Sequence, residues 1–446
     1  MRSRLHFVTA SKAAVRTCTA ACAALALSVT AVSPALASVA GAPDTATNSP
    51  SPTPDATAPS AASRVIISPL ANGAEGVTVT FLAPAEGAQV EYLDPNGHSH
   101  LVDTTAKRTT DSGVHLTATL AGLQANTSYR YRIVEATGAT SPWYTFTTAA
   151  ADSAPMDFLY FGDAQNGLDT EWKISANAAR AAVPNAKLVL HGGDQINHAD
   201  EDSEWHDWFA SQGDLPATTA TIAALGNHEL SGDITAQAYR AHFTNPDNGP
   251  FPIHTSTFFQ DYQGVRFITL TANGVSIGQQ RAFLKRALET NPHQWSVVMF
   301  HQPVFKATSR RNDDIQILAY RDILEQHNVD LVLNGHDHAY ARGHMASNET
   351  EAGVNGPVYL VASAGSKFYE AAEAGSHWER NGAVRKVWAQ GAATYQKISL
   401  NGCSMDVTAV ITHHGAEPIT SNGVHGAGNT LDSFRIDKCG AEKVVS

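Results

Sequence analysis

The amino-acid sequence predicts a multidomain chain: an all-β sandwich followed by an α/β domain of the four-layer αββα type. Two observations carry this prediction. Residues 63–150 hold short β-rich segments between Gly, Pro and Asn turns, whereas after Pro155 apolar runs typical of buried strands alternate with helical patterns. A chain of 446 residues with 43% hydrophobic and 16% charged residues is long enough for two globular domains.

The N-terminal residues predict export. Arg2 to Arg16 form a positively charged region, residues 17–32 are small and apolar, and Ala35-Leu36-Ala37 fits a signal-peptidase site. We therefore expect residues 1–37 to be a signal peptide and the mature chain to be secreted. The alternative is a membrane anchor. The apolar run is short and interrupted, which argues against an anchor.

The next two segments are a linker and the first domain. Residues 38–62 are rich in Ser, Thr, Pro and Ala, which predicts a disordered linker. Residues 63–150 are expected to form the sandwich, with strands at Val77–Phe81, Ala88–Tyr92, Val114–Leu120 and Tyr129–Ile133. The segment Leu120–Tyr131 resembles the tyrosine-corner strand of fibronectin type III domains, so the first domain is expected to be fibronectin-like.

The second domain is predicted to span residues 151–440. Helical patterns are clearest at Gln279–Glu289 and Ile315–His327, and the tail regains β character from Thr394 onward, where it is expected to add strands to a sheet. Buried strands are predicted at Asp157–Phe161, Lys187–Leu190, Thr221–Leu225, Val265–Leu270, Trp295–Phe300, Val329–Leu333 and Val358–Ala362.

The four cysteines fit this organisation. Cys18 and Cys22 lie in the predicted leader, which leaves Cys403 and Cys439 in the mature chain. Two cysteines in an exported protein predict one disulfide between the C-terminal segments. Two free buried thiols are the alternative.

The formal net charge of -12 argues against a nucleic-acid-binding surface, because phosphates repel acidic proteins. It does not exclude a small phosphorylated substrate, since bound cations dominate the local field. No segment after the leader is long and apolar enough to anchor the chain in a membrane. The oligomeric state is left open.

Five of the predicted strands are followed at once by a small polar cluster, and ligands collect where parallel strands end. Carboxylate, amide and imidazole groups in such a set suit a two-metal phosphoester-cleaving centre. Asp194 is the expected bridge between two ions; the alternative for a single strand-end Asp is a turn former or helix N-cap. The clusters are Phe161–Gln165, Gly192–Gln195, Gly226–Glu229, Phe300–Pro303 and Gly335–His338.

Spacing within two clusters suggests separate roles. Side chains of neighbours on an extended segment diverge, so Asn227 is expected to bind metal and His228 to meet the substrate. His336 and His338 are two residues apart, so on an extended segment they would face the same way and bind two adjacent ions. His301, at the end of its own strand, is either a ligand or a hydrogen-bonded structural residue.

The ordered motifs Gly-Asp, Gly-Gly-Asp, Gly-Asn-His-Glu, a strand ending in His, and Gly-His-x-His resemble the calcineurin-like metallophosphoesterases. With a fibronectin-like domain ahead of it, the chain most resembles the purple acid phosphatase branch, over roughly residues 63 to 440. The resemblance implies that Asp163, Asp194 and His338 hold the first metal. Asp194, Asn227, His301 and His336 would hold the second.

The resemblance also implies a reaction. A metal-bound hydroxide would attack phosphorus while both ions neutralise the phosphoryl oxygens. His228 would act near the leaving group by stabilising charge or donating a proton. The expected cofactors are two divalent or trivalent ions, with Fe, Zn, Mn and Mg all compatible with the ligand types.

Two positions depart from the family pattern. Purple acid phosphatases have a tyrosine three positions after the bridging aspartate, and this chain has Asn197, so we expect no tyrosinate-to-iron colour. Other metallophosphoesterases have a His two positions after the first Asp, and this chain has Gln165. Gln165 either ligates the first metal through its amide oxygen or supports a ligand.

The sequence therefore predicts a secreted, acid phosphatase-like hydrolase of phosphate monoesters. A phosphodiesterase or nucleotide pyrophosphatase of the same fold is the enzymatic alternative, and a non-catalytic extracellular binding protein is the other. For the remaining polar side chains, alternatives stay open. Arg310 and Arg311 either hold substrate phosphate or lie in a solvated loop, and Tyr340 either lines the pocket or covers the strand end. His191 and His198 either meet substrate, orient or support the ligands, or face solvent.

Overall fold

A computed structural model describes residues 59–372, 376–423 and 429–446. The predicted signal peptide, most of the predicted linker, and Cys18 and Cys22 lie outside these residues. The last four linker residues are held against the first domain: the Glu135 carboxylate accepts hydrogen bonds from the Ser60 hydroxyl and from the backbone N–H groups of Ala61 and Ala62. Within the described residues, no helix is both long and apolar enough to span a bilayer.

The first domain consists of two four-stranded antiparallel sheets, ordered β1-β2-β6-β5 and β4-β3-β7-β8. Apolar side chains from both sheets share one core, which includes Val79, Leu116 and Tyr131. The Tyr129 hydroxyl accepts a 2.8 Å hydrogen bond from the backbone N–H of Gln124. The strands are β1 (Ser63–Pro69), β2 (Gly76–Ala83), β3 (Gln89–Leu93), β4 (Ser99–Asp103), β5 (Thr105–Thr110), β6 (Gly113–Ala121), β7 (Ser128–Val134) and β8 (Tyr144–Thr147).

The second domain alternates strands and helices before it ends in long antiparallel strands. Its helices are α1 (Glu171–Ala182), α2 (Asp202–Gln212), α3 (Leu215–Thr218), α4 (Gln237–His242), α5 (Ile277–Glu289), α6 (Asp322–Gln326) and α7 (His377–Arg380). Short 3₁₀ turns lie at His228–Leu230 and Ala346–Asn348, and a π-helical turn at Ile317–Arg321 leads into α6.

Seventeen strands complete the domain within the described residues: β9 (Met156–Phe161), β10 (Leu188–His191), β11 (Ala220–Ala223), β12 (Phe258–Tyr262), β13 (Val265–Thr269), β14 (Trp295–Met299), β15 (Leu331–Asn334), β16 (Tyr340–Met345), β17 (Glu349–Thr350), β18 (Gly353–Val354), β19 (Val358–Val361), β20 (Ala383–Gln390), β21 (Ala392–Asn401), β22 (Ser404–His414), β23 (Thr420–Ser421), β24 (Thr430–Asp437) and β25 (Val444–Val445).

These strands form two mixed sheets. Sheet I has the order β11-β10-β9-β21-β22-β24-β25-β18-β17, and sheet II has the order β12-β13-β14-β15-β19-β16-β20-β23. Strands β9 to β11 run parallel in sheet I, and β13, β14, β15 and β19 run parallel in sheet II. The C-terminal tail adds β21 to sheet I, antiparallel to β9, as the sequence predicted.

Alternating side chains explain why both faces of the parallel strands are apolar. In β9, Phe158 joins the core between the sheets, while Leu159 packs against α1 and α2 on the outer side of sheet I. In β14, Val297 joins the same central core, and Val298 packs under α5 and α6 on the outer side of sheet II. Strands covered on both faces therefore appear in the sequence as continuous apolar runs.

The two sheets are also joined by a buried ion pair. Arg342 in β16 of sheet II donates to Asp432 in β24 of sheet I through Nε at 2.5 Å and a terminal nitrogen at 2.9 Å. The Tyr340 hydroxyl donates to the same carboxylate at 2.8 Å. Tyr340 is 1% exposed, so the interpretation of this residue as a pocket-lining side chain is wrong.

The predicted disulfide is confirmed. Cys403, in the turn between β21 and β22, is bonded to Cys439, which follows β24. The bond joins neighbouring strands of sheet I at one end, where the backbone N–H of Lys438 also donates to the Cys403 carbonyl. The covalent link therefore secures the tail strands to the rest of the sheet.

We predict that Asp432→Asn destabilises the protein by about 3 kcal/mol, because it leaves the Arg342 guanidinium buried without a compensating charge. Urea unfolding measures the change. Asp406→Asn is the matched control: it removes the exposed Arg435–Asp406 pair from the same sheet, and we expect little effect. Equal losses in the two variants would contradict a special role for the buried pair.

Candidate metal centre

The five predicted polar clusters all follow the carboxyl ends of parallel strands. Asp163, Asp194 and Asn227 follow β9, β10 and β11 of sheet I, and His301 and His336 follow β14 and β15 of sheet II. Because the two sheets face each other across a shared core, their strand ends meet at one edge. The site is thus formed jointly by both sheets.

Backbone conformation is unusual at this edge. Four of the expected ligands have positive φ angles: Asp163 at 26°, Asp194 at 52°, His336 at 73° and His338 at 46°. L-residues rarely adopt this region because Cβ meets the backbone, and such conformations concentrate at functional sites. The chain turns sharply at each position as it leaves its strand.

These turns correct two expectations about local geometry. His336 and His338 do not lie on an extended segment, since both have left-handed backbone angles. Asn227 is in the right-handed helical region and precedes the 3₁₀ turn that starts at His228, so that pair is not extended either. The simple alternation of side chains therefore does not apply to these two clusters.

One group of side chains surrounds Asp194. Ligand atoms of Asp194, His301 and His336 lie within 4.8 Å of one another. His301 Nε2 is 2.9 Å from Asp194 Oδ2 and 3.1 Å from His336 Nδ1. The Gly192 carbonyl, 2.9 Å from His301 Nδ1, accepts the hydrogen of that nitrogen and so directs Nε2 into the site.

A second group extends from Asp194 toward Asp163 and His338. Asp163 Oδ1 is 3.7 Å from His338 Nε2 and 3.8 Å from His301 Nε2. The Gln165 amide nitrogen is 3.0 Å from His338 Nε2 and 3.3 Å from Asp194 Oδ2. Gln165 thus lies between His338 and Asp194, on the side of the site that also contains Asp163.

Burial and mutual charge shift the pKa values of these groups. Burial, reinforced by the charge of Asp194, raises the pKa of Asp163 to about 8. Burial opposes charge on His301, but the carboxylates of Asp194 and Asp163 outweigh it and raise the pKa of His301 to about 9. Burial lowers the pKa of His338 to about 3, with Lys367 adding to the effect. Burial and the charge of His301 also lower the pKa of His336.

The donor set fits metal ions. Asp163 Oδ1 and Asn227 Oδ1 are buried acceptors with no hydrogen-bond partner, although buried polar atoms are normally paired. His336 and His338 are held neutral by burial, which is the form in which imidazole binds metal. Oxygen and nitrogen donors of this mixture suit divalent or transition-metal ions.

Glu229 supports this geometry, although no role for it was predicted from the sequence. Its buried carboxylate accepts backbone N–H hydrogen bonds from Gly226 at 2.7 Å, Asp194 at 2.9 Å and Gln195 at 2.7 Å. Burial, with the nearby charge of Asp194, raises its pKa to about 7. The sequence signal that could have identified Glu229 is its acidic side chain in the cluster Gly226–Glu229, whose other members carry no negative charge.

His228 lies at the accessible side of Asp194. Its backbone N–H donates to Asp194 Oδ1 at 2.8 Å, and its ring Nε2 is 3.9 Å from Asp194 Oδ2. Ring Nδ1 is 2.7 Å from the Asn197 carbonyl, which accepts its hydrogen. The Asn197 side chain instead lies 2.9 Å from His198 Nδ1. Asn197 therefore orients His228 through its backbone.

Two other histidines lie near the second cluster: His191 is in the core and His198 is on the surface. His191 is 2% exposed and packs among the rings of Phe161, Trp172 and Trp208; burial lowers its pKa to about 3. His198 is exposed and contacts Glu204 at 3.3 Å. Among the described residues, no hydrogen bond or ion pair joins either ring to Asp194, His301 or His336.

Of the two loop arginines, Arg310 and Arg311, it is Arg311 that contacts the site. Arg311 donates to the His336 carbonyl at 2.8 Å and lies 3.1 Å from Asp337 Oδ1. Tyr369, from the loop after β19, packs edge-on against the His338 ring, with the centroids 5.0 Å apart. The Tyr369 loop is 31 residues from His338, so sequence motifs gave no indication of this contact.

Comparison with known proteins identifies both domains. Residues 156–340 match the calcineurin-like phosphoesterase family, and residues 62–148 match the purple acid phosphatase N-terminal domain. A protein of uncharacterised function from Mycobacterium tuberculosis is 28% identical over 266 residues, covering 51% of this chain and 50% of that protein. Purple acid phosphatase 22 of Arabidopsis thaliana is 26% identical over 258 residues, covering 54% of this chain and 56% of that protein.

The chain spans about half the length of these curated relatives. Among solved structures, purple acid phosphatase PPD1 from yellow lupin (Lupinus luteus) seeds superposes with a TM-score of 0.68 at 16% identity, over 85% of this chain and 74% of that one. PhoD superposes with a TM-score of 0.58 at 15% identity, over 84% of this chain and 90% of that one. The structural likeness concerns the fold. Residues 156–340 therefore form a domain of the calcineurin-like phosphoesterase family, and residues 62–148 ahead of it form a purple acid phosphatase N-terminal domain.

Proposed function

We propose that this protein is a secreted metal-dependent hydrolase of phosphate monoesters, acid phosphatase-like, with a dinuclear metal centre. The observation that carries the proposal is the position of Asp194 Oδ2, which lies 2.9 Å from His301 Nε2 and 3.3 Å from the Gln165 amide nitrogen. A carboxylate between two groups of donors can bridge two ions. The purple acid phosphatases among the relatives support the reaction type.

The proposed first ion would be held by Asp163, Asp194 and His338, with Gln165 as a further ligand or as a support for one. The proposed second ion would be held by Asp194, Asn227, His301 and His336. Unpartnered buried oxygens on Asp163 and Asn227 support both assignments. Fe, Zn, Mn and Mg are all compatible with these oxygen and nitrogen donors.

When bound, two ions would supply an activated water and neutralise the phosphoryl oxygens. The chain's own residues orient the substrate and handle the leaving group. Asn197 accepts the Nδ1 hydrogen of His228, so the opposite nitrogen, Nε2, remains available to the substrate. With 23% of its side chain exposed, His228 can contact a bound ester and, when protonated, donate a proton to the leaving oxygen.

Finer features of the fold remain part of the proposal. A fibronectin-like sandwich over residues 63–150 is supported by the two facing sheets and the Tyr129 hydrogen bond. A four-layer αββα catalytic domain over residues 151–440 is supported by the central core and by the two outer apolar clusters. The Cys403–Cys439 disulfide supports secretion, because such bonds persist in oxidising compartments.

An ester panel with metal analysis tests the proposal. We predict about two metal ions per chain and faster hydrolysis of phenyl phosphate than of a matched diester, with activity lost to a chelator. The double variant Asp163→Asn/His301→Ala is purified in parallel, and its residual activity measures any contaminating phosphatase. Preference for the diester would favour a phosphodiesterase or nucleotide pyrophosphatase. Full metal content without turnover of any ester would favour a binding protein.

We predict that His228→Ala keeps its metal but lowers kcat about a hundredfold or more for alkyl phosphates, with a smaller loss for p-nitrophenyl phosphate. A good leaving group needs little protonation, so the loss should depend on leaving-group pKa. His198→Ala removes a neighbouring exposed ring and serves as the control. Equal slowing of all esters, together with loss of metal, would instead indicate a structural role for His228.

A further inference from the structure

Three cationic side chains surround the Tyr369 ring. The Arg310 guanidinium lies 4.7 Å from the ring centroid, the Lys367 ammonium 5.5 Å and the Arg311 guanidinium 5.6 Å. Each contact is attractive by itself, because the face of an aromatic ring is negative. The three positive charges repel one another, however, and an anion placed among them would relieve that repulsion.

This cluster borders the Asp163 side of the candidate metal centre. The Tyr369 backbone N–H donates to the His338 carbonyl at 3.0 Å, and the two rings are 5.0 Å apart. Upstream in the same loop, Gly365 N–H donates to the Asp163 carbonyl at 2.8 Å. The Tyr369 centroid is 4.7 Å from the Arg310 guanidinium and 5.0 Å from the His338 ring centroid. The Arg310 guanidinium therefore lies within about 10 Å of the His338 ring.

The three cations are not equivalent. Arg311 already donates a hydrogen bond to the His336 carbonyl and forms an ion pair with Asp337. Arg310 is exposed and Lys367 half-buried, and no carboxylate of residues 59–372, 376–423 or 429–446 lies within ion-pair distance of either. Arg310 and Lys367 are therefore free to bind an external anion.

Building on the proposed phosphoesterase function, we propose that Arg310, Lys367 and Tyr369 form an accessory anion subsite for a second phosphate or carboxylate group of the substrate. The preferred substrates are then small phosphate esters with two anionic groups, such as sugar bisphosphates. Arg310 and Lys367 donate charge-assisted hydrogen bonds to the group that does not react. Tyr369 holds both cations beside the metal centre.

Fructose 6-phosphate and fructose 1,6-bisphosphate form a matched pair for the test. We expect the wild-type protein to favour the bisphosphate in kcat/KM by about tenfold, beyond the twofold statistical advantage, as charge-assisted contacts allow. The ratio should fall to about the statistical value in Arg310→Gln/Lys367→Gln. The control is Arg130→Gln/Lys173→Gln, because Arg130 is an exposed arginine that also contacts an aromatic ring, 5.1 Å from the Trp143 centroid. Its ratio should match the wild type.

Titration calorimetry of the same sugars separates this proposal from the proposed function. Tighter binding of the bisphosphate, weakened in the Arg310→Gln/Lys367→Gln variant and by added salt, supports the subsite even if no ester is hydrolysed. Hydrolysis of both sugars with equal kcat/KM would leave the phosphatase proposal intact and overturn the subsite. Equal dissociation constants for the two sugars in the wild type would also overturn it, as would a preference that the double variant retains.

Discussion

The buried carboxylate of Glu229 makes the contact on which the geometry of the candidate metal centre depends. It accepts three backbone N–H groups, from Gly226, Asp194 and Gln195, and so joins the loops that follow β10 and β11. Without an acceptor these donors would be buried and unsatisfied, at a cost of about 1 to 3 kcal/mol each. The contact holds Asp194 in its left-handed conformation, with its side chain between the two groups of donors.

Around this fixed point, each sheet contributes a different part of the site. Sheet I provides the oxygen donors Asp163, Asp194 and Asn227, while sheet II provides the imidazoles. Their relative position depends on the core between the sheets and on the Arg342–Asp432 pair that crosses it. Loops outside the sheets add the arginines and Tyr369. The fold thus fixes the proposed metal ligands, and the loops are where the substrate would be selected.

Much of this arrangement could be predicted from the sequence. Strands buried on both faces give continuous apolar runs, so β9, β10, β13, β14 and β15 were recognisable, and so were the polar residues at their ends. Several elements were not assigned, among them strands β1, β4, β5, β8, β12, β16 and β20, the two-residue strands, and helices α1 to α4 and α7. The disulfide was predicted because only Cys403 and Cys439 lie outside the predicted leader.

Local backbone geometry and long-range contacts could not be predicted in the same way. His336 and His338 adopt positive φ angles, which an alternation rule for extended chains does not anticipate. The role of Asn197 lies in its carbonyl, which every residue has, so its side chain gave no signal. The contact between Tyr369 and His338 depends on the path of a loop after β19, and no spacing rule connects the two positions.

Metal analysis of the Asp194→Asn variant tests whether Asp194 bridges two ions, as we propose. Elemental analysis should find about two ions per chain in the wild-type protein and in Asp169→Asn, an exposed control in the loop after β9, but fewer than about one in Asp194→Asn. Loss of both ions from one substitution is the signature of a bridging ligand. If Asp194→Asn folds normally and keeps two tightly bound ions, Asp194 is not a bridging ligand.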